Sequence, residues 1–160
     1  MKELSVFIDE SGDFGEVKER PAYYLVTFVF HNQDNAIDWQ VAKLEESVKN
    51  AGFDVEYIHT GPVIRIDRKE AVDKVSLSGK LAKAINAAMS VHQDFFSSFD
   101  KIIVYYDNGQ NELSAILNAV FSIQFSNVEF RKAEPQKYRL LQAGSLCILQ
   151  GKCGCKTDFA

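Results

Sequence analysis

The sequence predicts an α/β fold in which a mixed β-sheet is covered by helices. Three observations lead to this prediction. Short apolar runs rich in β-branched and aromatic residues alternate with longer segments of helical periodicity, the first two strand-like runs follow each other directly, and no repeat or linker divides the 160 residues. The resulting order is β-β-α-β-α-β-α-β-α, which favours a mixed sheet with helices packed on it. A chain of this length is sufficient for one domain with its own core.

The predicted strands are short and apolar. Residues 4–8 form a nearly continuous apolar run, typical of a buried strand, and the run ends at a turn-forming cluster over 9–15. Residues 22–30 predict a second strand, and the polar segment 16–21 suits a hairpin-type connection between antiparallel neighbours. Further strands are predicted at 63–66, 101–106 and 127–132.

Four segments show the spacing of amphipathic helices. Between residues 35 and 51 the apolar residues recur every three or four positions, and Gly52 follows where a C-terminal cap belongs. From Leu113 to Phe121 they fall at i, i+3, i+4, i+7 and i+8. The predicted helices cover residues 35–51, about 72–92, 113–121 and 136–149.

Charge and hydropathy exclude several classes of protein. The net charge of −4 and the pI near 5.4 exclude a strongly basic nucleic-acid-coating protein, although they allow a local basic groove. The longest apolar stretch, residues 23–30, is far shorter than the roughly 20 residues of a membrane-spanning helix. The N-terminus turns acidic at Asp9, so we expect no secretory or transit peptide. We therefore expect a cytoplasmic protein without a membrane partner.

The three cysteines, Cys147, Cys153 and Cys155, all lie near the C-terminus. An odd, clustered set gives no disulfide framework, and a zinc site would need a fourth ligand and usually Cys-x2-Cys spacing. We interpret them as free thiols on a C-terminal tail.

Two predicted strands end in acidic residues. Asp9 and Glu10 follow the first strand, and Asp107 follows the strand over 101–106. Ligands of α/β sheets bind beyond the carboxyl ends of parallel strands, so these acids would share one edge if their strands are adjacent. Converging carboxylates attract Mg²⁺ or Mn²⁺, which can activate water in phosphodiester cleavage. The alternative is that the acids only form turns, since Asn108-Gly109 is itself a turn dipeptide.

Neighbouring polar residues are further candidates. Glu10 and Asp13 are each a candidate metal ligand or base, and the backbone of Ser11-Gly12 is a candidate phosphate contact. His59, beside Gly61-Pro62, is a candidate general acid or phosphate contact; the alternative is a loop histidine bonded to backbone.

A basic run and two tyrosines complete the candidates. Arg65, Arg68 and Lys69 could contact a nucleic-acid backbone, or they mark the solvated start of a helix. Tyr105 and Tyr106 are expected to be packing residues rather than base-stacking ones.

Four motifs in fixed order resemble the bacterial and phage family called domain of unknown function 3800. They are FIDESGDFG at 7–15, YIHTGP at 57–62, YYDNGQ at 105–110 and YRLLQ at 138–142. The resemblance covers residues 3–146 and implies a ribonuclease H-like fold, an α/β mixed sheet flanked by helices, with carboxylates around a divalent metal. Asp9 and Asp107 match the family's first-strand and fourth-strand aspartates, and a nuclease is the implied activity. The resemblance therefore implies a domain over 1–146 and an atypical tail over 147–160.

The chain departs from the family pattern at two places. The segment between the motif at 57–62 and the long helix is shortened, and Ser145 occupies the position of the last-helix aspartate. A missing carboxylate predicts weak binding of Mg²⁺ or Mn²⁺, mainly through Asp9 and Asp107. Three hypotheses stay open: a metal-dependent nuclease with impaired catalysis, a non-catalytic nucleic-acid- or protein-binding relic of the fold, and an enzyme acting on another phosphoester.

Overall fold

The computed structural model describes residues 1–12, 14, 23–39, 63–71, 73–107 and 109–134, together with 42, 43, 46 and 50. The strands are β1 (Glu3–Ser11), β2 (Tyr23–Asn32), β3 (Val63–Asp67), β4 (Lys101–Tyr106) and β5 (Val128–Lys132). The helices with described ends are α1 (Lys74–Val91), α2 (Gln93–Ser97) and α3 (Asn111–Gln124).

The five strands form one mixed sheet in the order β3-β2-β1-β4-β5. β1 pairs antiparallel with β2, which pairs antiparallel with β3, whereas β4 is parallel to both β1 and β5. Parallel neighbours need a crossover, and α3 provides the one between β4 and β5. The carboxyl ends of β1, β3, β4 and β5 consequently share one edge of the sheet. This α/β architecture is the predicted mixed sheet flanked by helices and is consistent with a ribonuclease H-like type of fold.

The three helices pack on the same face of the sheet. Their buried stripes, Leu77, Leu81, Ile85 and Met89 on α1 and Leu113, Leu117 and Phe121 on α3, belong to one core cluster with the inward residues of β1, β2 and β4. The Asp73 side chain caps α1 by accepting a hydrogen bond from the Ser76 backbone N–H at 2.7 Å. An ion pair between Lys74 and Glu112 links the starts of α1 and α3.

The opposite face of the sheet is also buried at its centre. Phe7, Val29, Ile103 and Tyr105 form a second cluster, in which the Phe7 and Tyr105 rings stack with centroids 4.8 Å apart. Burial on both faces explains why the sequences of β1 and β4 are almost continuously apolar.

Most of the predicted elements within the described residues are confirmed. β2, β3, β4 and β5 lie within a residue or two of their predicted positions. β1 extends three residues beyond its predicted end, so Asp9 and Glu10 lie within the strand, paired with β2, rather than in a turn after it. Residues 38, 39, 42, 43, 46 and 50 are helical, as the predicted helix over 35–51 requires. The long helix ends one residue early, and the separate helix α2 after it was not predicted. Phe96 of this helix is fully buried against Phe30 and Phe125. This packing stabilises a second helix directly after His92, where the long helix ends.

Some predictions fall outside the described residues. These include the last helix over 136–149, the cysteine-bearing tail and the domain boundary at residue 146. Among the helices that the structure describes, none is long and apolar enough to cross a membrane.

Candidate functional site

The parallel pairing of β1 with β4 brings the predicted acidic residues to one place. The pairing ends at Ile8 and Tyr106, and the next residues along the two strands are Asp9 and Asp107. Both therefore lie at the carboxyl ends of adjacent, parallel, central strands, which confirms the prediction of their placement. This is the position at which open α/β sheets bind ligands.

Glu10 adds a third carboxylate, which is held at one oxygen only. Its Oε1 accepts a hydrogen bond of 2.9 Å from the Tyr106 hydroxyl. Its Oε2 is buried and has no hydrogen-bond partner within the described part of the chain. A buried carboxylate oxygen without a partner is energetically unfavourable, and such a group in a native structure calls for a proton, an ion or a ligand.

Tyr106 connects the ends of β1 and β4 to the start of α3. Its hydroxyl donates to Glu10 and accepts a hydrogen bond of 3.0 Å from the Gln110 backbone N–H. The Gln110 side-chain amide in turn donates to the Gly12 carbonyl at 2.8 Å. Burial raises the pKa of Tyr106 above its ordinary value, so the phenol stays protonated and remains a donor to Glu10. These hydrogen bonds thus link the loop before α3 to the end of β1.

Gly109 lies where the carboxylates of Glu10 and Asp107 approach each other. Its N–H donates to Asp107 Oδ1 at 2.9 Å. A Cβ placed on Gly109 would be 2.6 Å from Glu10 Oε1 and 3.3 Å from Asp107 Oδ1. The first distance is shorter than any normal contact, so a side chain at this position would require the Glu10 carboxylate to move.

The electrostatics of Glu10 reflect this crowding. The pKa of its carboxyl is raised from 4.5 to about 7, chiefly by burial. The hydrogen bond from Tyr106 opposes the shift, while the negative charges of Asp107 and Asp9 add to it. Glu10 therefore changes its charge near neutral pH, which is unusual for a glutamate.

The three acids do not converge on a single point. Within the described residues no group of three His, Cys, Asp or Glu side chains is arranged to hold a metal ion. Strand alternation accounts for this, because Ile8 and Glu10 lie on the helix-covered face of β1 and Asp9 lies on the other. The backbone carbonyl of Asp9 accepts a hydrogen bond of 3.1 Å from the Thr27 hydroxyl on β2.

The basic run lies at the same edge, on the far side of β2. Arg65, on β3, is exposed and its guanidinium lies 3.5 Å from the centroid of the Tyr23 ring. Lys69 is exposed in the turn after β3, with its N–H donating to Asp67 Oδ1 at 2.8 Å. Arg68 is only 4% exposed, so its side chain is directed into the protein rather than to solvent.

Three other candidates, His59, Asp13 and Ser145, lie outside the described residues. Conversely, the structure adds Tyr106, Gly109 and Gln110, which the sequence did not assign to the site. Tyr106 is 3% exposed and packs as predicted, yet its hydroxyl also serves the carboxylates. A signal was present, since a buried tyrosine usually finds a partner for its hydroxyl and this one directly precedes Asp107.

Comparison with protein-family models, curated proteins and solved structures found no match to this chain.

Substitution of Gly109 tests the packing of the two carboxylates. We expect Gly109→Ala to destabilise the protein by about 1–2 kcal/mol, because the new Cβ displaces Glu10 from its hydrogen bond with Tyr106. Gly79→Ala is the matched control, since a Cβ there meets nothing within 4 Å and should stabilise α1 by up to about 1 kcal/mol. Urea unfolding measures both. Equal stabilisation by the two variants would show that Glu10 does not lie against Gly109.

The raised pKa of Glu10 predicts a pH-dependent stability. As pH rises from 4.5 to about 7, the carboxyl ionises in the unfolded chain before it does so in the fold, so the protein loses stability across this window. Gln in place of Glu10 keeps an oxygen for Tyr106 but cannot ionise. In the absence of divalent metal, we expect the stability of Glu10→Gln relative to the unsubstituted protein to improve by about 1–2 kcal/mol between about pH 4 and about pH 8. A constant difference in unfolding free energy would contradict the assigned environment.

Proposed function

We propose that this chain is a divalent-metal-dependent nuclease-type protein that acts on phosphodiester bonds. The observation that carries the proposal is that Asp9, Glu10 and Asp107 all lie at the carboxyl ends of two adjacent parallel strands, close enough for both aspartates to raise the pKa of Glu10. Carboxylate oxygens are the ligands that Mg²⁺ and Mn²⁺ prefer. Asp9 and Asp107 are the proposed ligands, as the resemblance to the domain of unknown function 3800 family implies.

The chemistry of the donor set fits a weakly held cation. The carboxylates bring several negative charges close together, and the unpartnered Glu10 Oε2 offers an additional hard oxygen. Since no three-acid group is arranged for a metal within the described residues, water molecules would complete the coordination, as is common for Mg²⁺. We therefore propose weak binding, mainly through Asp9 and Asp107.

Glu10 is the proposed proton-transfer group. A bound divalent ion supplies activation of water and offsets charge on the leaving oxygen. Glu10 can exchange a proton at neutral pH because its pKa is raised to about 7, and Tyr106 fixes the orientation of its carboxyl. His59, which lies outside the described residues, remains a second proposed acid on the sequence pattern alone.

Nucleic acid is the proposed substrate, in the cytoplasm expected from the sequence. The exposed Arg65 and Lys69 lie at the sheet edge that carries the acids and are proposed contacts for the phosphate backbone. The proposed contribution of Arg68, which is buried, is to support this turn from inside.

A non-catalytic relic of the same fold is the second candidate. It is favoured by the incomplete carboxylate set among the described residues and by Ser145 at the family's aspartate position. Such a protein would keep nucleic-acid or protein binding and lack hydrolysis.

Metal binding and hydrolysis separate the two candidates. We expect the protein to bind Mn²⁺ weakly in calorimetry and Asp107→Asn to lower the affinity at least about tenfold. In Asp107→Asn, cleavage of labelled single- and double-stranded DNA and RNA in Mn²⁺ should fall by about two orders of magnitude or more. Such a fall corresponds to a barrier higher by about 2.8 kcal/mol, at about 1.4 kcal/mol for each factor of ten. Asp94→Asn, an exposed aspartate on α2, is the control of equal charge change and should alter neither.

Equal Mn²⁺ affinity in the protein and in Asp107→Asn would reject the metal assignment. Metal binding through Asp107 without cleavage of any of the four substrates, in a folded protein, would reject the nuclease in favour of the binding relic.

A further inference from the structure

A small cavity adjoins the carboxylate site on the side of β5. It has a volume of about 150 Å³ and lies between α3 and the end of β5. Its lining consists of Tyr106, Ser114, Leu117, Asn118, Phe130, Arg131 and Lys132. A cavity of this size is smaller than the roughly 300 Å³ or more that drug-sized ligands occupy, so it suits one small group of a larger molecule.

The cavity and the carboxylates share a wall. Tyr106 lines the cavity, and its hydroxyl is the group that binds Glu10. The last pair between β4 and β5 joins Tyr106 to Lys132, so Lys132 lies at the same edge of the sheet, one strand beyond the acids. Adjacent strands are about 4.8 Å apart, so the cavity lies one strand away from the carboxyl end of β4, where Asp107 follows Tyr106.

Lys132 gives the cavity an available positive charge. It is exposed, and within the described residues its ammonium makes no hydrogen bond or ion pair. The adjacent Arg131, in contrast, is held by Glu129 at 2.6 Å and by the Tyr105 hydroxyl at 3.1 Å. Ser114 and Asn118 line the α3 side, where the Ser114 hydroxyl donates to the Gln110 carbonyl at 3.2 Å and the Asn118 amide donates to the Ser114 carbonyl at 2.8 Å. A cation with polar neighbours is a typical arrangement for an anionic group.

We propose that this cavity binds a phosphate group of a nucleic-acid strand, next to the phosphodiester that lies at Asp9 and Asp107. This inference rests on the nucleic-acid substrate of the proposed function. An acidic centre repels the backbone of a polyanion, and a cation one strand away offsets that repulsion and fixes the register of the strand. With Arg65 and Lys69 on the other side of the acids, basic residues would flank the centre on both sides.

The salt dependence of oligonucleotide binding tests this assignment. Affinity for a labelled single-stranded oligonucleotide is measured by fluorescence anisotropy over a series of salt concentrations, in EDTA so that no hydrolysis occurs. We expect Lys132→Gln to reduce the slope of log K against log salt by about 0.7, the value for one phosphate contact on a single strand. Lys132→Arg keeps the charge and should keep the slope.

Lys83→Gln, an exposed lysine on α1, makes the same change in net charge and should leave the slope unchanged. An equal slope in Lys132→Gln and the unsubstituted protein would overturn the proposal. Loss of inorganic-phosphate binding by Lys132→Gln in calorimetry would not rescue it, because the proposal concerns a phosphate of the nucleic-acid strand. Equal reductions in Lys132→Gln and Lys83→Gln would also overturn it, because they would show a general charge effect.

The outcome is independent of catalysis. A slope reduced by Lys132→Gln in a protein that cleaves nothing would support the phosphate subsite and reject only the nuclease. An unchanged slope in a protein with metal-dependent cleavage would reject only the subsite.

Discussion

The parallel pairing of β1 with β4 is the constraint on which the candidate site depends. The two strands are distant in the sequence: Glu10 and Tyr106, which are joined by a hydrogen bond at the site, are 96 residues apart. Their pairing is stabilised by apolar side chains on both faces of the sheet, including Val6 and Val104 on the helix side and the stacked Phe7 and Tyr105 on the other. Because the core fixes the register, it also fixes which acids meet at the strand ends.

The same core makes the ionised form of Glu10 unfavourable. Glu10 continues the inward-facing series of β1, so strand alternation places a carboxyl where burial raises its pKa, next to two aspartates. Tyr106 and Gly109 reduce the conflict by donating one hydrogen bond and by leaving room, but Oε2 stays unpartnered within the described residues. Functional sites are where such unfavourable arrangements persist, since a bound cation or a proton can relieve them. Lys132, one strand beyond the acids at the same edge of the sheet, carries the opposite charge.

The sequence predicted the frame of the site better than its interior. The apolar runs ending at Asp9 and Asp107 placed each acid at the end of a strand, because periodicity is a local property. That the two strands are neighbours was implied by the resemblance to the domain of unknown function 3800 family and not by the runs themselves. The hydrogen bond from Tyr106 to Glu10 and the approach of Gly109 depend on the register between distant strands, which no local pattern specifies. The burial of Arg68 was missed for the same reason: a basic run after a strand gives no sign of which member turns inward.

Paramagnetic relaxation by Mn²⁺ tests most directly whether the paired strand ends hold a divalent cation. In NMR spectra of the isotope-labelled protein, substoichiometric Mn²⁺ should first broaden the amide signals of Glu10, Asp107 and Gly109. The signals of Glu3 and Lys101, at the opposite ends of the same two strands and about 20 Å away, should stay sharp. Broadening that is no stronger at Glu10, Asp107 and Gly109 than at the exposed Asp94 would contradict a cation site at the carboxyl ends of β1 and β4.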